Sequence, residues 1–187
     1  MSETKKYTCK CKNCDREFGE EEFKLTNDEN KCILHCKKDD WKKDKEQFFS
    51  NVLERYIKYS NYEIVDIHFP FDRLPDYLTE NKTFNFNRCH FKKGINFFNY
   101  HKKLELFFMN CFFYGDIEFY KITNIKFHFV NSCCFNQHSI IANSVIFTEN
   151  IEFIGINDIK ELNFNSSTFK SPNSGIKMLL TIFRYPS

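Results

Sequence analysis

The segments Asn87-Arg88-Cys89-His90-Phe91, Met109-Asn110-Cys111-Phe112-Phe113 and Asn131-Ser132-Cys133-Cys134-Phe135 decide the reading of this chain, because they align on one another at a constant offset. Their cysteines stand at 89, 111 and 133, 22 residues apart both times. A fixed period of this length marks an array in which each unit buries its apolar face against the next. Inside it runs a finer beat of alternating five and six residues. One series in steps of eleven reads Phe86, Phe97, Phe108, Phe119, Val130, Ile141, and the series offset by five reads Phe91, Lys102, Phe113, Asn124, Phe135, Ile146. Two residues before each member stands a second, mostly apolar one: Phe84, Ile95, Leu106, Ile117, His128 and Ser139 for the first series, and Cys89, Tyr100, Cys111, Ile122, Cys133 and Ser144 for the other.

Side chains at i and i+2 share a face in an extended chain, not in a helix. A long strand would carry the alternation further. Two inward residues followed by a corner describe a coil with short sides, four to each 22-residue turn. The phase slips by a residue near Ile146 and then resumes through Val145/Phe147, Ile151/Phe153, Leu162/Phe164 and Phe169. Upstream it is carried back through Ile67/Phe69 and Leu74. Corners require left-handed residues, which Asn tolerates better than other non-glycine types. Asn81, Asn87, Asn99, Asn110, Asn131, Asn143 and Asn165 recur where corners are needed.

This pattern resembles the pentapeptide-repeat family, in its eleven-residue-pair variant, over residues 64–169. The resemblance implies a mainly β fold, a right-handed quadrilateral parallel β-helix. It points Phe91, Phe97, Phe113 and Phe119 inward, together with Cys89, Ile95, Cys111 and Ile117. Lys102 and Asn124 depart from the pattern by placing polar groups in a central slot, so those two sides are expected to be distorted. The resemblance identifies a fold and not an activity.

Composition agrees. The chain has 24 Phe among 187 residues, against 5 Gly and 1 Trp, as expected when one flat slot is filled again and again. A net charge of +2 points to neither a strongly acidic nor a strongly basic partner. The N-terminus has lysines but no apolar run after them, so no secretory signal is read there. No stretch approaches the length of a transmembrane helix. A cytoplasmic, reducing setting is expected, in which the 9 Cys serve as thiols or metal ligands rather than bridges.

Residues 1–40 differ from the rest and read as a Cys-rich, zinc-knuckle-like module. Cys11-x-x-Cys14, a gap, and Cys32-x-x-x-Cys36 approximate the spacing of a structural zinc site. Cys9 and His35 are alternates, one for each knuckle. A segment this small has little core, and bound metal would supply its folding energy. Residues 41–62 read as an amphipathic capping α-helix, because Phe48, Phe49, Val52, Leu53, Tyr56 and Ile57 share one helical face. Residues 63–170 form the solenoid, and 171–187 lose the beat and are read as an irregular tail or cap.

No nucleophile elbow, P-loop or dinucleotide fingerprint is present. His68, His90, His101, His128 and His138 read as structural or solvated residues. His90 and His101 are expected at exposed flanking positions, and His128 in an inward slot. The Cys89, Cys111 and Cys133 ladder reads as small buried hydrophobes. Glu149 and Glu152 read as surface charges.

The favoured reading is a non-enzymatic protein-interaction scaffold with an unidentified protein partner, and without a small-molecule substrate or a membrane. Nucleic acid is disfavoured as a partner by the acids between the basic pairs of the N-terminal module. The resemblance also implies two alternatives drawn from relatives: a homodimer through a solenoid end, and mimicry of DNA toward a DNA topoisomerase. Residues 81–170 carry ten Lys/Arg and seven Asp/Glu, which disfavours mimicry of an acidic polymer. A thiol- or metal-dependent enzyme built on the Cys/His cluster is the third reading.

Overall fold

Pairs of buried residues separated by one outward residue, most of them closed by a left-handed residue, fold the chain into short parallel strands. A computed structural model describes residues 5–12, 14–26, 30–38, 43–74, 83–99, 103–148, 150–170 and 175–179. The expectations for Asn81, Tyr100, His101, Lys102, Glu149 and most of 171–187 lie outside the described residues.

The N-terminal part holds β1 (Lys6–Thr8), β2 (Glu17–Gly19), α1 (Glu20–Leu25) and α2 (Lys43–Tyr59). The first coils comprise β3 (Glu63–Val65), β4 (His68–Phe69), β5 (Thr83–Asn87), β6 (His90–Phe91) and β7 (Ile95–Phe98). The middle coils comprise β8 (Leu104–Met109), β9 (Phe112–Phe113), β10 (Ile117–Tyr120), β11 (Thr123–Val130) and β12 (Ile140–Asn143). Then follow β13 (Ile146–Phe147), β14 (Ile151–Ile154), β15 (Leu162–Asn163), β16 (Thr168–Phe169) and β17 (Ile176–Leu179).

These strands wind a parallel β-solenoid of about five turns. The first face stacks β3, β5, β8, β11, β14 and β17. The second stacks β4, β6 and β9, and single bridges at Cys134 and Asn157 continue it. The third stacks β7, β10, β12 and β15. The fourth is made by the start of β11 with β13 and β16, so β11 turns a corner and serves two faces.

Registers confirm the period: His68 pairs with His90 and His90 with Phe112, and Ile95 pairs with Ile117. The inward residues build continuous ring ladders. Phe69, Phe91, Phe113 and Phe135 stack at 4.8, 5.0 and 5.1 Å, close to the inter-strand spacing. Phe86, Phe108, Phe129 and Phe153 stack at 5.0, 5.0 and 5.5 Å. Edge contacts such as Phe108–Phe113 at 5.5 Å tie one ladder to the next.

The slip in phase lies earlier than the sequence suggests. Phe108 pairs with Phe129, because the chain takes one residue fewer from Tyr120 to Ile125 than from Phe98 to Leu104 in the preceding coil; Asn124, whose φ is 67°, lies in that shortened corner. The inward pair is therefore Phe127/Phe129, not His128/Val130. Asn131 and Ser132, both at positive φ, restore the register at Cys133. A further residue enters at the left-handed Asn136 and Gln137, so Ile140 and Ala142 point inward rather than Ser139 and Ile141. The physical reason is that corners absorb insertions while the core slots must stay filled.

Asn99, Asn110 and Asn131 hold left-handed corners as expected, but Asn87, Asn143 and Asn165 do not. The left-handed residue falls one later, at Arg88 and Ser144, and Asp66, Lys121 and Ser166 do the same in other coils. Arg88 offsets this cost by a two-pronged pair with Asp66 of the preceding coil, at 2.7 and 2.9 Å. Gly94 and Gly115 face each other across adjacent coils. A Cβ on Gly115 would lie 2.5 Å from the Lys93 carbonyl carbon, which only glycine avoids. Past the expected end of the beat, β17 still pairs with β14, so the tail opens with one more strand.

α2 caps the first coil as its periodicity predicts. Phe49 is fully buried and meets Phe69 and Phe71 edge-on at 6.1 and 5.4 Å. Left-handed Asn61 and Tyr62 follow the helix and turn the chain into β3. No helix among the described residues is long and apolar enough to cross a membrane.

Candidate metal centre

The N-terminal residues fold around cysteines rather than around an apolar core of their own. β1 and β2 pair antiparallel and bring Cys9 and Cys14 to one side. Cys32 opens a tight turn in which its carbonyl accepts from the amides of His35 and Cys36 at 2.9 and 3.0 Å. Cys9, Cys14, Cys32 and His35 thus converge, all buried, with their ligand atoms within 4.8 Å of one another.

The geometry fits a small soft cation. Tetrahedral zinc with Zn–S of ~2.3 Å separates sulfurs by roughly 3.8 Å. Cys14 Sγ lies 3.9 Å from Cys32 Sγ, and His35 Nδ1 lies 3.9 Å from Cys9 Sγ and 3.0 Å from Cys32 Sγ. The Cys32 amide donates to Cys9 Sγ at 3.2 Å, which favours the thiolate there. Hydrogen bonds from Cys14 and Cys32, aided by His35, hold the Cys9 thiol well below its ordinary range. Cys14 moves well above it, because its proton is shared with Cys32 and Cys9. Burial opposes charge on His35, but its bonds to Cys32 and Cys9 outweigh that and raise it to about 9. A cation would replace the protons that these groups now share.

Of the four ligands expected first, the structure brings Cys14 and Cys32 into the cluster. The two alternates, Cys9 and His35, complete it. Cys11 and Cys36 lie outside. Cys11 is half-buried, and burial followed by the nearby Cys9 charge pushes its thiol up to about 12. Cys36 is fully buried but turned away, its Sγ donating to the Ile33 carbonyl at 3.6 Å.

The residues around the cluster were not legible in the sequence. Glu22, which reads as one of several surface acids, is 4 % exposed. It forms a two-pronged pair with Arg16 and accepts from the Ile33 amide at 2.8 Å, bracing the turn that carries Cys32 and His35. Arg16 and Glu22 stand six positions apart, across β2 and the start of α1, a spacing with no sequence signature. Lys38 is buried as well; its Nζ donates to the carbonyls of Leu34 and Cys36 at 3.2 and 2.9 Å and sits over the Phe49 ring.

The cluster is welded to the solenoid. The Cys134, Phe112 and His90 amides donate to the Cys111, Cys89 and Ile67 carbonyls, each at 2.9 Å. One turn earlier His68 donates to Leu34 at 3.0 Å, so the Cys32–Cys36 turn stands where a preceding coil would stand. His35 Nε2 also reaches the Val65 carbonyl of β3 at 3.3 Å, which fixes the ring from its far side.

Elsewhere, the Cys89, Cys111 and Cys133 thiols are buried, as expected. They donate to the carbonyls of Ile64, Phe86 and Phe108, at 3.3, 3.4 and 3.2 Å. Ser167 does the same to Ala142 at 3.0 Å. Burial, with the neighbouring thiols, pushes Cys111 and Cys133 well up, away from reactivity. His128 faces outward, not inward. It stacks on Phe107 at 4.4 Å and pairs with Glu152 at 3.0 Å, which holds that carboxyl below its usual range. His90 is only half-exposed, stacked between His68 and Phe112. No family model, curated protein or solved structure matches the chain.

Proposed function

We propose that the chain is a pentapeptide-repeat protein that acts as a non-enzymatic interaction scaffold in a reducing, cytoplasmic setting, with its N-terminal cap locked by a structural zinc ion. The observation that carries the reading is the closure of the Cys9/Cys14/Cys32/His35 cluster. Catalytic zinc keeps a position open for water or substrate, whereas structural zinc is enclosed by four protein donors. Here all four donors come from the chain and all four are buried. The ion would staple three separate stretches of the N-terminal segment together and hold Leu34 against the first coil. The solenoid then presents stiff, flat faces whose outward side chains line up in columns, a surface suited to binding a protein. Pairing of two copies through a solenoid end is part of the same proposal.

Metal analysis by plasma mass spectrometry on the full chain tests the site. One zinc per chain is expected in the wild type and in Cys11→Ser and Cys36→Ser, and loss of zinc in Cys14→Ser and His35→Ala. Retention in His35→Ala together with loss in Cys36→Ser would give the site to the other ligand set. The scaffold reading is tested by cross-linking the full chain in native extract. Thiol-dependent turnover of a small substrate, with no protein partner captured, would replace the scaffold by an enzyme.

A further inference from the structure

The four donors of the candidate metal centre are shut away from solvent. Cys32 is 0 % exposed, His35 3 %, Cys9 5 % and Cys14 7 %. An ion arriving with its shell of water meets none of them directly. An ion already held by four protein donors offers an incoming chelator no open position. Such a site needs a donor that reaches both the cluster and the surface. Of the five cysteines in the N-terminal segment, Cys11 alone is not buried. It is also the half of the Cys11-x-x-Cys14 motif that the cluster does not use.

Backbone geometry sets that thiol against the cluster. The amides of Cys9 and Lys10 donate to different neighbours, the carbonyl of Arg16 at 3.0 Å and that of Asn30 at 2.9 Å, as successive amides of an extended chain do. Residues two apart in such a stretch share a face, so Cys11 follows Cys9 on the side of the cluster. The bond from Lys10 also holds this stretch against the loop that leads into Cys32. Immediately afterwards the Cys14 amide donates to the Cys11 carbonyl at 3.1 Å and turns the chain back toward the site. The Cys11 thiol donates to Cys9, and the charges of Cys32 and Lys31 reach it as well. Cys11 therefore stands on the rim, packed against the core on one side and open to solvent on the other.

We infer that Cys11 is the port through which metal enters and leaves the buried site, a ligand in transit and not at rest. This rests on the zinc reading of the cluster and adds the route to it. On entry Cys11 binds the arriving ion, and its thiol proton passes to water as one water leaves the ion. Cys9, in hydrogen-bond contact with Cys11, then takes its place. The bond from Cys9 to the metal forms, the bond from Cys11 breaks, and Cys11 recovers a proton from water. Release runs the same exchange in reverse, with Cys11 presenting the ion to a soft acceptor at the surface, such as a thiol. No electrons are transferred in either direction. Because Cys11 holds the ion only between the two end states, it lowers the barrier to exchange and leaves the affinity unchanged.

Cobalt(II) in the full chain tests this, since its thiolate charge-transfer band reports both uptake by the stripped chain and release to excess EDTA. In Cys11→Ser both rates should fall by about tenfold or more. The resting cobalt spectrum, the affinity measured in competition with a chelator, and one zinc per chain should all be retained. Cys11→His offers the ion another donor at the same place and should recover most of the lost rate. Cys134→Ser removes a part-exposed thiol of the solenoid and should change nothing. Circular dichroism melts establish that the variants remain folded. The inference is overturned if Cys11→Ser exchanges metal as fast as wild type. It is equally overturned if that variant binds more weakly or alters the cobalt spectrum, which would make Cys11 a resting ligand. Release at a rate independent of EDTA concentration also overturns it, because the site would then open by unfolding and not by exchange at the rim. A wild-type chain that takes up neither metal removes the zinc reading as well, whereas one that holds zinc and fails these tests removes the port alone.

Discussion

Replacing Phe113 with Ala removes a ring that is entirely shielded from solvent. That ring stacks on Phe91 at 5.0 Å and on Phe135 at 5.1 Å, and meets Phe108 and Phe129 edge-on at 5.5 and 5.8 Å. Loss of a buried Phe costs about 3–5 kcal/mol, the spread depending on how far the site collapses. Collapse is resisted here. The Phe113 amide is fixed to the Cys134 carbonyl at 2.9 Å and the Tyr114 amide to that of Phe91 at 3.0 Å, so the coils on either side cannot close on the hole. The expected cost is therefore toward the upper end, about 4–5 kcal/mol. For a chain of this size that lowers the melting temperature by roughly 10 °C. Guanidinium unfolding followed by circular dichroism measures it, with Phe98→Ala as the control. Phe98 points outward and is 37 % exposed, so its loss should cost less than about 1 kcal/mol. Equal costs for the two variants, or a Phe113→Ala cost below about 1 kcal/mol, would refute the inward ladder as the source of stability.

Three further outcomes are expected. Chelation of zinc should destabilise the chain and expose the amides of His68 and of residues 32–36 to hydrogen exchange, while those of β8 to β11 remain protected; uniform loss of protection would mean that the cap and the solenoid unfold together. Cys111→Ser should lie within about 1 kcal/mol of wild type in chemical unfolding, since a hydroxyl can donate to the Phe86 carbonyl as Ser167 donates to Ala142, whereas Cys111→Ala should cost about 1–2 kcal/mol more than Ser; the reverse order would deny the thiol its donor role. Acid should weaken the fold through His68, which burial first, and then His90, Lys38 and Lys92, lower to about 3. The unfolded chain binds the extra proton between the unfolded value of 6.5 and that folded value, so stability falls as pH drops below 6.5, by no more than about 1.4 kcal/mol per pH unit. Urea midpoints at pH 7 and pH 5 measure this, and His68→Phe should flatten the dependence; an unchanged slope would acquit His68.

How far the sequence carries depends on what each residue must satisfy. The 22-residue ladder was legible because a core slot accepts only a ring or a small apolar group. Its phase after Asn124 was not, because left-handed corners admit Asn, Ser, Gln, Lys or Arg and so conceal where a residue is lost or gained. The apolar face of α2 predicted its packing on the first coil, since helical spacing alone fixes that face. The cysteines pointed to a candidate metal site by type and number, and the buried Cys9/Cys14/Cys32/His35 cluster is compatible with one. Which of them meet was not written in their spacing, because Cys9 and Cys11 lie two apart in one short segment and only the folded chain brings Cys9, not Cys11, to Cys14, Cys32 and His35. Sequence by itself therefore determined what repeats: local period, side-chain size and donor chemistry are properties of the chain taken a few residues at a time. Tertiary structure alone decided what converges. The joining of the Cys32–Cys36 turn to the backbone ladder at His68 and the burial of Glu22 beside Arg16 each depend on how separate elements meet in the folded chain, and no local rule of spacing encodes that.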